Sequence, residues 1–403
     1  MKTRWELNYE HLDFLSDCND VRSGNDLARF AMRARHLSTY GVSVKAAVCR
    51  EFAAPLVIED VELANPGPGE VQISLRASAV CHSDITYADG GWGGQIPAVY
   101  GHEAAGIVTE VGAGVTRVVA GAPVVVTLVR SCGTCANCAR QLSVSCEASF
   151  ALDAQTPLRD AHGNALLQGM RTGAFAEAVV VHESQIVGLP PGVPFDSAAL
   201  LACGVITGFG AVTRTAHMPR GSTVAVVGCG GVGLNAVQAA SLEGAEQVIA
   251  IDTSAAKGDA AISFGATHAI NAMTTEPVEA VRDLTCGRGV DFVFVTVGAK
   301  SAFDQSYAML AKGGAVVLVG MPANGALTSF DPGELANNSQ RLLGSKMGAA
   351  NIAVDIQRLV SLYQQGKIKL DELISGKFAL ADINEAMDGV RRGEALRNVI
   401  VFP

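Results

Sequence analysis

Val224-Ala-Val-Val-Gly228-Cys-Gly230-Gly-Val-Gly233 is the stretch whose reading decides the fold. A short apolar run, the G-x-G-x-x-G spacing and a helical pattern over Asn235–Leu242 follow one another without interruption. Glycines at these places allow a tight turn and a close backbone approach, and the free N–H groups of the following helix suit a pyrophosphate. Asp252 stands nineteen residues past Gly233, at the end of the strand candidate Val248–Ile251. It is placed to accept hydrogen bonds from the adenosine ribose hydroxyls, it would repel a 2′-phosphate, and no Arg follows at once. NAD is therefore expected rather than NADP, the plainer alternative being a Gly-rich turn beside a solvated Asp.

Working outward, Phe292–Val297 and Ala315–Val319 are further strand candidates, each bounded by glycine. Strands alternating with helices in this way form a doubly wound parallel sheet, an α/β fold assigned to residues 207–346. Beyond it, residues 347–403 read as helices Ile352–Gln365 and Ile383–Arg391 and a closing strand Asn398–Phe402. Residues 45–206 are β-rich, with short strands at 46–49, 56–58, 71–75, 106–111, 123–128 and 178–181 separated by turns such as Pro66-Gly-Pro-Gly. Residues 1–44 differ: they are polar, with Arg22, Arg29, Arg33 and Arg35 around a helix candidate Asn25–His36. They read as a surface extension, as a start placed upstream of Met32, or as an arm on a neighbouring subunit.

A length of 403 residues suits two domains and an appendage, and 44 glycines with few aromatics suit helix–sheet packing. No run of 18 apolar residues stands out, so no membrane span is expected. The net charge of −9, without a dense Lys/Arg stripe, argues against nucleic acid and anionic lipid as partners. The first residues lead into no apolar signal segment, and ten cysteines then point to a reducing compartment, the cytoplasm.

Cys132-Gly-Thr-Cys135-Ala-Asn-Cys138 and Cys146 put four thiols into one 15-residue loop. Two C-x-x-C steps sharing a cysteine can wrap a tetrahedral ion, and four sulfurs close its sphere, so a structural zinc is expected. A nucleic-acid zinc ribbon is the rival reading, opposed by the acidic charge. A second set is dispersed: Cys81-His82-Ser83-Asp84, Gly101-His102-Glu103, and Cys203. Cys81, His102 and Cys203 together supply two thiolates and an imidazole, an open set that leaves a fourth position for water or substrate. This set resembles the catalytic metal site of alcohol dehydrogenases. Asp84 and Glu103 are then carboxylates behind the ligands, one of them holding the His102 ring N–H.

In these motifs the chain, from Lys45 to Phe402, resembles the medium-chain, zinc-dependent alcohol dehydrogenase family. The resemblance implies a GroES-like β-rich catalytic domain, split in sequence, with the Rossmann domain inserted. It implies Ser83 as the hydroxyl that meets the substrate oxygen and begins a proton relay. By the same resemblance Gly228, Gly230, Gly233 and Asp252 hold the cofactor, Lys257 is a second ribose contact, and His82 and Arg397 contact the pyrophosphate. Two zinc ions and one NAD per chain are implied, with hydride moving between an alcohol or aldehyde and nicotinamide. A dimer is expected: the 57-residue separation of Cys146 and Cys203 keeps a longer loop than in the tetrameric relatives, one the resemblance places on an outer surface where it would obstruct a tetramer, and strand candidates near Arg341–Met347 offer an edge for two-fold pairing.

Departures from the family pattern narrow the choice. Thr86 occupies the position where liver-type members have the histidine that ends the relay. Trp92 and Phe150 replace the acid and the arginine of the glutathione-dependent formaldehyde branch, so that activity is the alternative rather than the expectation. A non-catalytic nucleotide-binding relative is a second alternative. Trp92, Leu128 and Phe150 are expected to line an apolar channel for a primary aromatic or medium-chain alcohol.

Overall fold

The computed structural model describes residues 40–403; the helix candidate Asn25–His36 lies outside them. The first strand runs Tyr40–Cys49, so residues 40–44 begin the β-rich part rather than ending the extension. Two mainly antiparallel systems, each with one parallel pair, build that part. Strands Tyr40–Cys49, Val57–Ala64, Leu158–Arg159, Ala165–Gln168 and Ala98–Val99 close into a small barrel. A seven-stranded sheet takes the order Ile186–Gly188, Pro123–Val126, Glu103–Val111, Glu70–Val80, Arg397–Val401, Ile374–Phe378, with Ala178–His182 also pairing to Glu70–Val80.

The second sheet is parallel throughout, in the order His268–Asn271, Gln247–Asp252, Thr223–Val227, Val290–Val295, Leu310–Leu318, Arg341–Gly344. Its central strands are near-continuous Val/Ile/Ala/Phe runs because helices cover both faces. Side chains of a strand alternate between faces. Val224 and Val226 accordingly enter one core with Leu234 and Val237, while Ala225 and Val227 enter another with Ile249 and Ile251.

Two features place the site. The first is the closing strand: Asn398 pairs with Val80 and Val401 with Ala77, which brings Arg397 next to Cys81 across more than three hundred residues of sequence. The second is a helix from Phe195 to Thr215, which runs through the expected domain junction at 206/207. By length and apolarity it is able to cross a membrane, yet 89% of its apolar window is buried inside the protein, which makes it the core helix. Glycines let it approach its neighbours: a Cβ on Gly208 would lie 2.5 Å from the Val232 carbonyl, and one on Gly210 would lie 2.3 Å from that of Gly348.

Candidate functional site

Cys81 caps the short helix His82–Ala88, which carries Ser83 in its first turn. Cys203 lies in a π-helical stretch of the core helix, Leu201–Val205, where the wider turn alters the direction in which side chains point. Such π turns occur often at functional sites. His102 and Glu103 stand at the start of strand Glu103–Val111. Ligand atoms of Cys81, His102, Glu103 and Cys203 all lie within 4.8 Å of one another, and all four residues are buried.

Asp84 holds this cluster from behind. Its Oδ1 is 3.0 Å from His102 Nδ1 and accepts the Gly101 N–H at 2.9 Å, while its Oδ2 accepts the Cys81 N–H at 2.9 Å. That contact directs His102 Nε2 toward the cluster, as a carboxylate behind a metal-ligating histidine does. Glu103 differs from the expectation that it only supports the ligands, since its carboxylate is itself a member of the cluster. One oxygen pairs with Arg397 Nη2; the other, Oε1, is 3.9 Å from His102 Nε2 and, though buried, has no hydrogen-bond partner among the described residues. A buried unpartnered carboxylate oxygen is costly, and a cation beside it satisfies it.

The charges respond to this crowding. The Cys81 thiol is held well below its usual range, chiefly by the hydrogen bond from Cys203 and, against burial, by His102. The Cys203 thiol is pushed well up by the same bond and by burial. Burial opposes charge on His102, yet Asp84 and Cys81 outweigh it and raise the ring above its usual value. Burial raises the Glu103 carboxyl to about 7 against the pull of Arg397. Two buried soft donors, an imidazole and a spare carboxylate oxygen fit a zinc ion.

The four-cysteine loop has the second metal geometry. Its sulfurs also lie within 4.8 Å of one another, with Cys132–Cys138 at 4.0 Å and Cys135–Cys146 at 3.9 Å. A zinc tetrahedron with bonds of about 2.3 Å has sulfurs about 3.8 Å apart, so the loop is already shaped for the ion. Cys132 Sγ accepts N–H groups of Thr134 and Cys135 at 3.4 and 3.2 Å, bonds that lower its thiol to about 6. Burial instead pushes Cys138 up to about 12.

The fingerprint turn has the shape its glycines require. Gly228 has φ +93°, and a Cβ there would meet Val297 Cγ1 at 2.2 Å; one on Gly233 would meet the Gly228 carbonyl at 1.7 Å. At Gly230, which caps helix Gly231–Leu242, a Cβ would point into open space. Asp252 accepts the Cys229 N–H at 2.7 Å and the Ser254 N–H at 2.9 Å, which fixes its carboxylate beside that turn. Arg397 joins the two centres: its Cδ is 2.3 Å from where a Gly231 Cβ would be, while its Nη2 pairs with Glu103. Lys257 is half-buried, its Nζ near Gly393.

Residues 67–191 match the family described as "Alcohol dehydrogenase GroES-like domain", and residues 231–365 match "Zinc-binding dehydrogenase". The NDMA-dependent alcohol dehydrogenase of Amycolatopsis methanolica is 36% identical over 368 residues, covering 89% of this chain and 99% of that one. The chain belongs to the zinc-dependent, medium-chain alcohol dehydrogenase family. Alcohol dehydrogenase B of Mycobacterium tuberculosis is 35% identical over 378 residues, covering 90% and 99% of the two chains. Among solved structures, benzyl alcohol dehydrogenase from Acinetobacter calcoaceticus is similar at TM-score 0.84 and 30% identity, covering 90% of this chain and all of that one. An alcohol dehydrogenase zinc-binding domain protein from Burkholderia ambifaria reaches TM-score 0.85 and 34% identity, covering 90% and 99%. This alcohol dehydrogenase thus acts on alcohols or aldehydes with zinc and a nicotinamide cofactor.

The expected pocket residues divide. Leu128 packs against the core cluster that contains Cys203 and Met347. Trp92 packs edge-on against Tyr87, with ring centroids 5.0 Å apart. The Phe150 ring meets His182, centroids 4.8 Å apart, with the Arg130 guanidinium 5.8 Å above it. His182 pairs with Glu70, whereas Cys81 follows the other end of the same eleven-residue strand. The Phe150 ring therefore stands beside the Glu70 end of that strand. Its seat is a fully buried arginine, Arg130, bound to Gln185 and Asp153. Thr86 turns its hydroxyl back onto the His82 carbonyl at 3.0 Å, and His82 itself is exposed.

Sequence reasoning passed over Met347. Its Sδ is 3.5 Å from Cys203 Sγ and 3.7 Å from Thr207 Oγ1. Met347, Gly348 and Ala349 take φ values of +49°, +65° and +52°, which two non-glycine residues rarely adopt. The one local signal was Gly348, whose left-handed backbone packs directly on Gly210.

Proposed function

We propose that this alcohol dehydrogenase oxidises primary aromatic or medium-chain alcohols with NAD and reduces the corresponding aldehydes. The observation that carries the reading is the buried Cys81–His102–Glu103–Cys203 cluster, coupled through Arg397 to the turn that opens helix Gly231–Leu242. Cys81, His102 and Cys203 would hold one zinc, with Glu103 in reach of it, and Cys132, Cys135, Cys138 and Cys146 a second. When bound, the first zinc supplies a Lewis acid at the substrate oxygen and the nicotinamide supplies the hydride chemistry.

The protein's own residues do the rest. Ser83 is half-buried one residue after His82, and its hydroxyl would accept the substrate's proton while handing its own onward as the first member of a relay. Asp84 fixes the His102 tautomer, and Arg397 offsets the Glu103 charge while filling the helix start. Asp252, fixed beside the Gly-rich turn, favours the ribose diol over a 2′-phosphate.

Steady-state rates with ethanol, hexanol, benzyl alcohol and S-hydroxymethylglutathione, each with NAD, NADP and NDMA as acceptor, test the proposal. A phenyl ring adds roughly 100 Å² of apolar surface, worth up to about 2.5 kcal/mol at about 25 cal/mol per Å². Benzyl alcohol is therefore expected to exceed ethanol at least tenfold in kcat/KM with NAD. Preference for NADP, for ethanol or for the glutathione adduct refutes the corresponding part. Binding of zinc and NADH without any turnover would favour a non-catalytic relative.

The proposal includes a homodimer. Strand Arg341–Gly344 ends the parallel sheet, and its outer residues are exposed. Leu327 and Phe330, in the segment before it, are 79% and 45% exposed. An open sheet edge beside exposed apolar side chains favours pairing with a second copy. Light scattering is expected to give about twice the 41.6 kDa chain mass; a monomer or tetramer contradicts it.

A further inference from the structure

Gly90-Gly-Trp92-Gly-Gly94 sets one large side chain among four glycines, of which Gly90, Gly93 and Gly94 have φ of +78°, +69° and +119°. Trp92 Nε1–H donates to the Pro322 carbonyl at 2.7 Å, across to the domain that holds the parallel sheet. Asn324 answers from the same loop: its Nδ2 donates to the Trp92 carbonyl and its backbone N–H to that of Gly91, both at 3.1 Å. Three hydrogen bonds thus join the two domains at one point.

Each end of this contact leads to one side of the site. On the catalytic side, the Trp92 ring rests on Tyr87, in the helix whose first turn carries Ser83. On the cofactor side, a Cβ on Gly298 would lie 2.6 Å from the Met321 carbonyl, and Val297 closes directly over Gly228 of the fingerprint. We propose that Trp92 is a positioning residue: a strap that ties the substrate wall to the cofactor turn and must open before the nicotinamide cofactor leaves.

This role rests on the reading of the chain as a nicotinamide-dependent enzyme, and the test separates the two. Trp92→Phe keeps the ring on Tyr87 and removes only the N–H donor; Asn324→Ala removes the reciprocal bond from an exposed residue. Each is expected to raise the NADH dissociation rate about fivefold in stopped-flow displacement, equivalent to about 1 kcal/mol at 1.4 kcal/mol per tenfold. The double variant is expected to gain less than the product of the two, because both act on one strap. Thermal melting is expected to move by no more than a few degrees. In protein without cofactor, Trp92→Phe is also expected to speed amide exchange at Asn324. Dissociation rates unchanged in both variants, or strictly multiplicative effects, overturn the strap. If the wild type binds no NADH, the cofactor reading fails, and unchanged Asn324 exchange then overturns the strap separately.

Discussion

Cys203→Ser and His102→Ala are each expected to lower kcat by at least about 10³ while leaving a folded protein. Both side chains supply donors of the buried cluster, and the spare Glu103 oxygen can replace neither the thiolate nor the imidazole in kind. A thousandfold loss corresponds to about 4 kcal/mol, within the scale of preorganised electrostatic stabilisation of developing charge. Cys203→Ser is the cleaner variant, since His102→Ala leaves the buried Asp84 carboxylate with only its two backbone N–H donors. The checks are metal content, circular dichroism and turnover measured on one preparation. One zinc per chain should remain, held by the four-cysteine loop. Retention of two zincs together with more than a tenth of wild-type activity in Cys203→Ser would remove the cluster from the chemistry.

Cys135→Ser and Cys138→Ser are expected to have the opposite profile, a loss of stability larger than the loss of catalysis. The loop has only short helical turns, Ala136–Ala139 and Ser143–Ser145, with no buried residue but Val144, so little apolar packing holds it in shape. A closed four-thiolate site contributes its binding energy to folding, and losing it should cost about 3–5 kcal/mol, or a melting temperature lower by roughly 10 °C. The surviving folded fraction should keep kcat within severalfold. Melting curves with metal analysis decide the matter: unchanged melting with lost activity reverses the roles given to the two centres.

Legibility varied with how local each signal was. Strand Thr223–Val227 and helix Ile383–Arg391 lie within a residue of where their patterns put them, because each is bounded by its own glycine or cap and buries one face or two. Strand Ile374–Phe378 was missed: among the described residues it pairs only with Arg397–Val401, and its residues alternate between half-buried and exposed without a strong apolar period. The core helix Phe195–Thr215 was also missed. Buried on all sides and rich in Ala and Gly, it shows no amphipathic stripe, and its π turns break the 3.6-residue repeat.

Within the site, the sequence alone determined the chemistry of the donors. The C-x-x-C spacing confines four thiols to one loop, and the glycine pattern needs only its own strand and helix to form a phosphate-sized turn. Long-range packing decided which groups meet. Nothing local to Arg397 says that it lies on Glu103, because that contact exists only when the last strand pairs with Glu70–Val80. Nothing local to Phe150 says that its ring seats on His182, nor to Trp92 that its indole bonds Pro322 more than two hundred residues away. The physical reason is the range of the forces involved. Backbone conformation and short chelating spacings are set by neighbours along the chain. The partner of a side chain is set by whichever surfaces the two cores bring into van der Waals and hydrogen-bond contact.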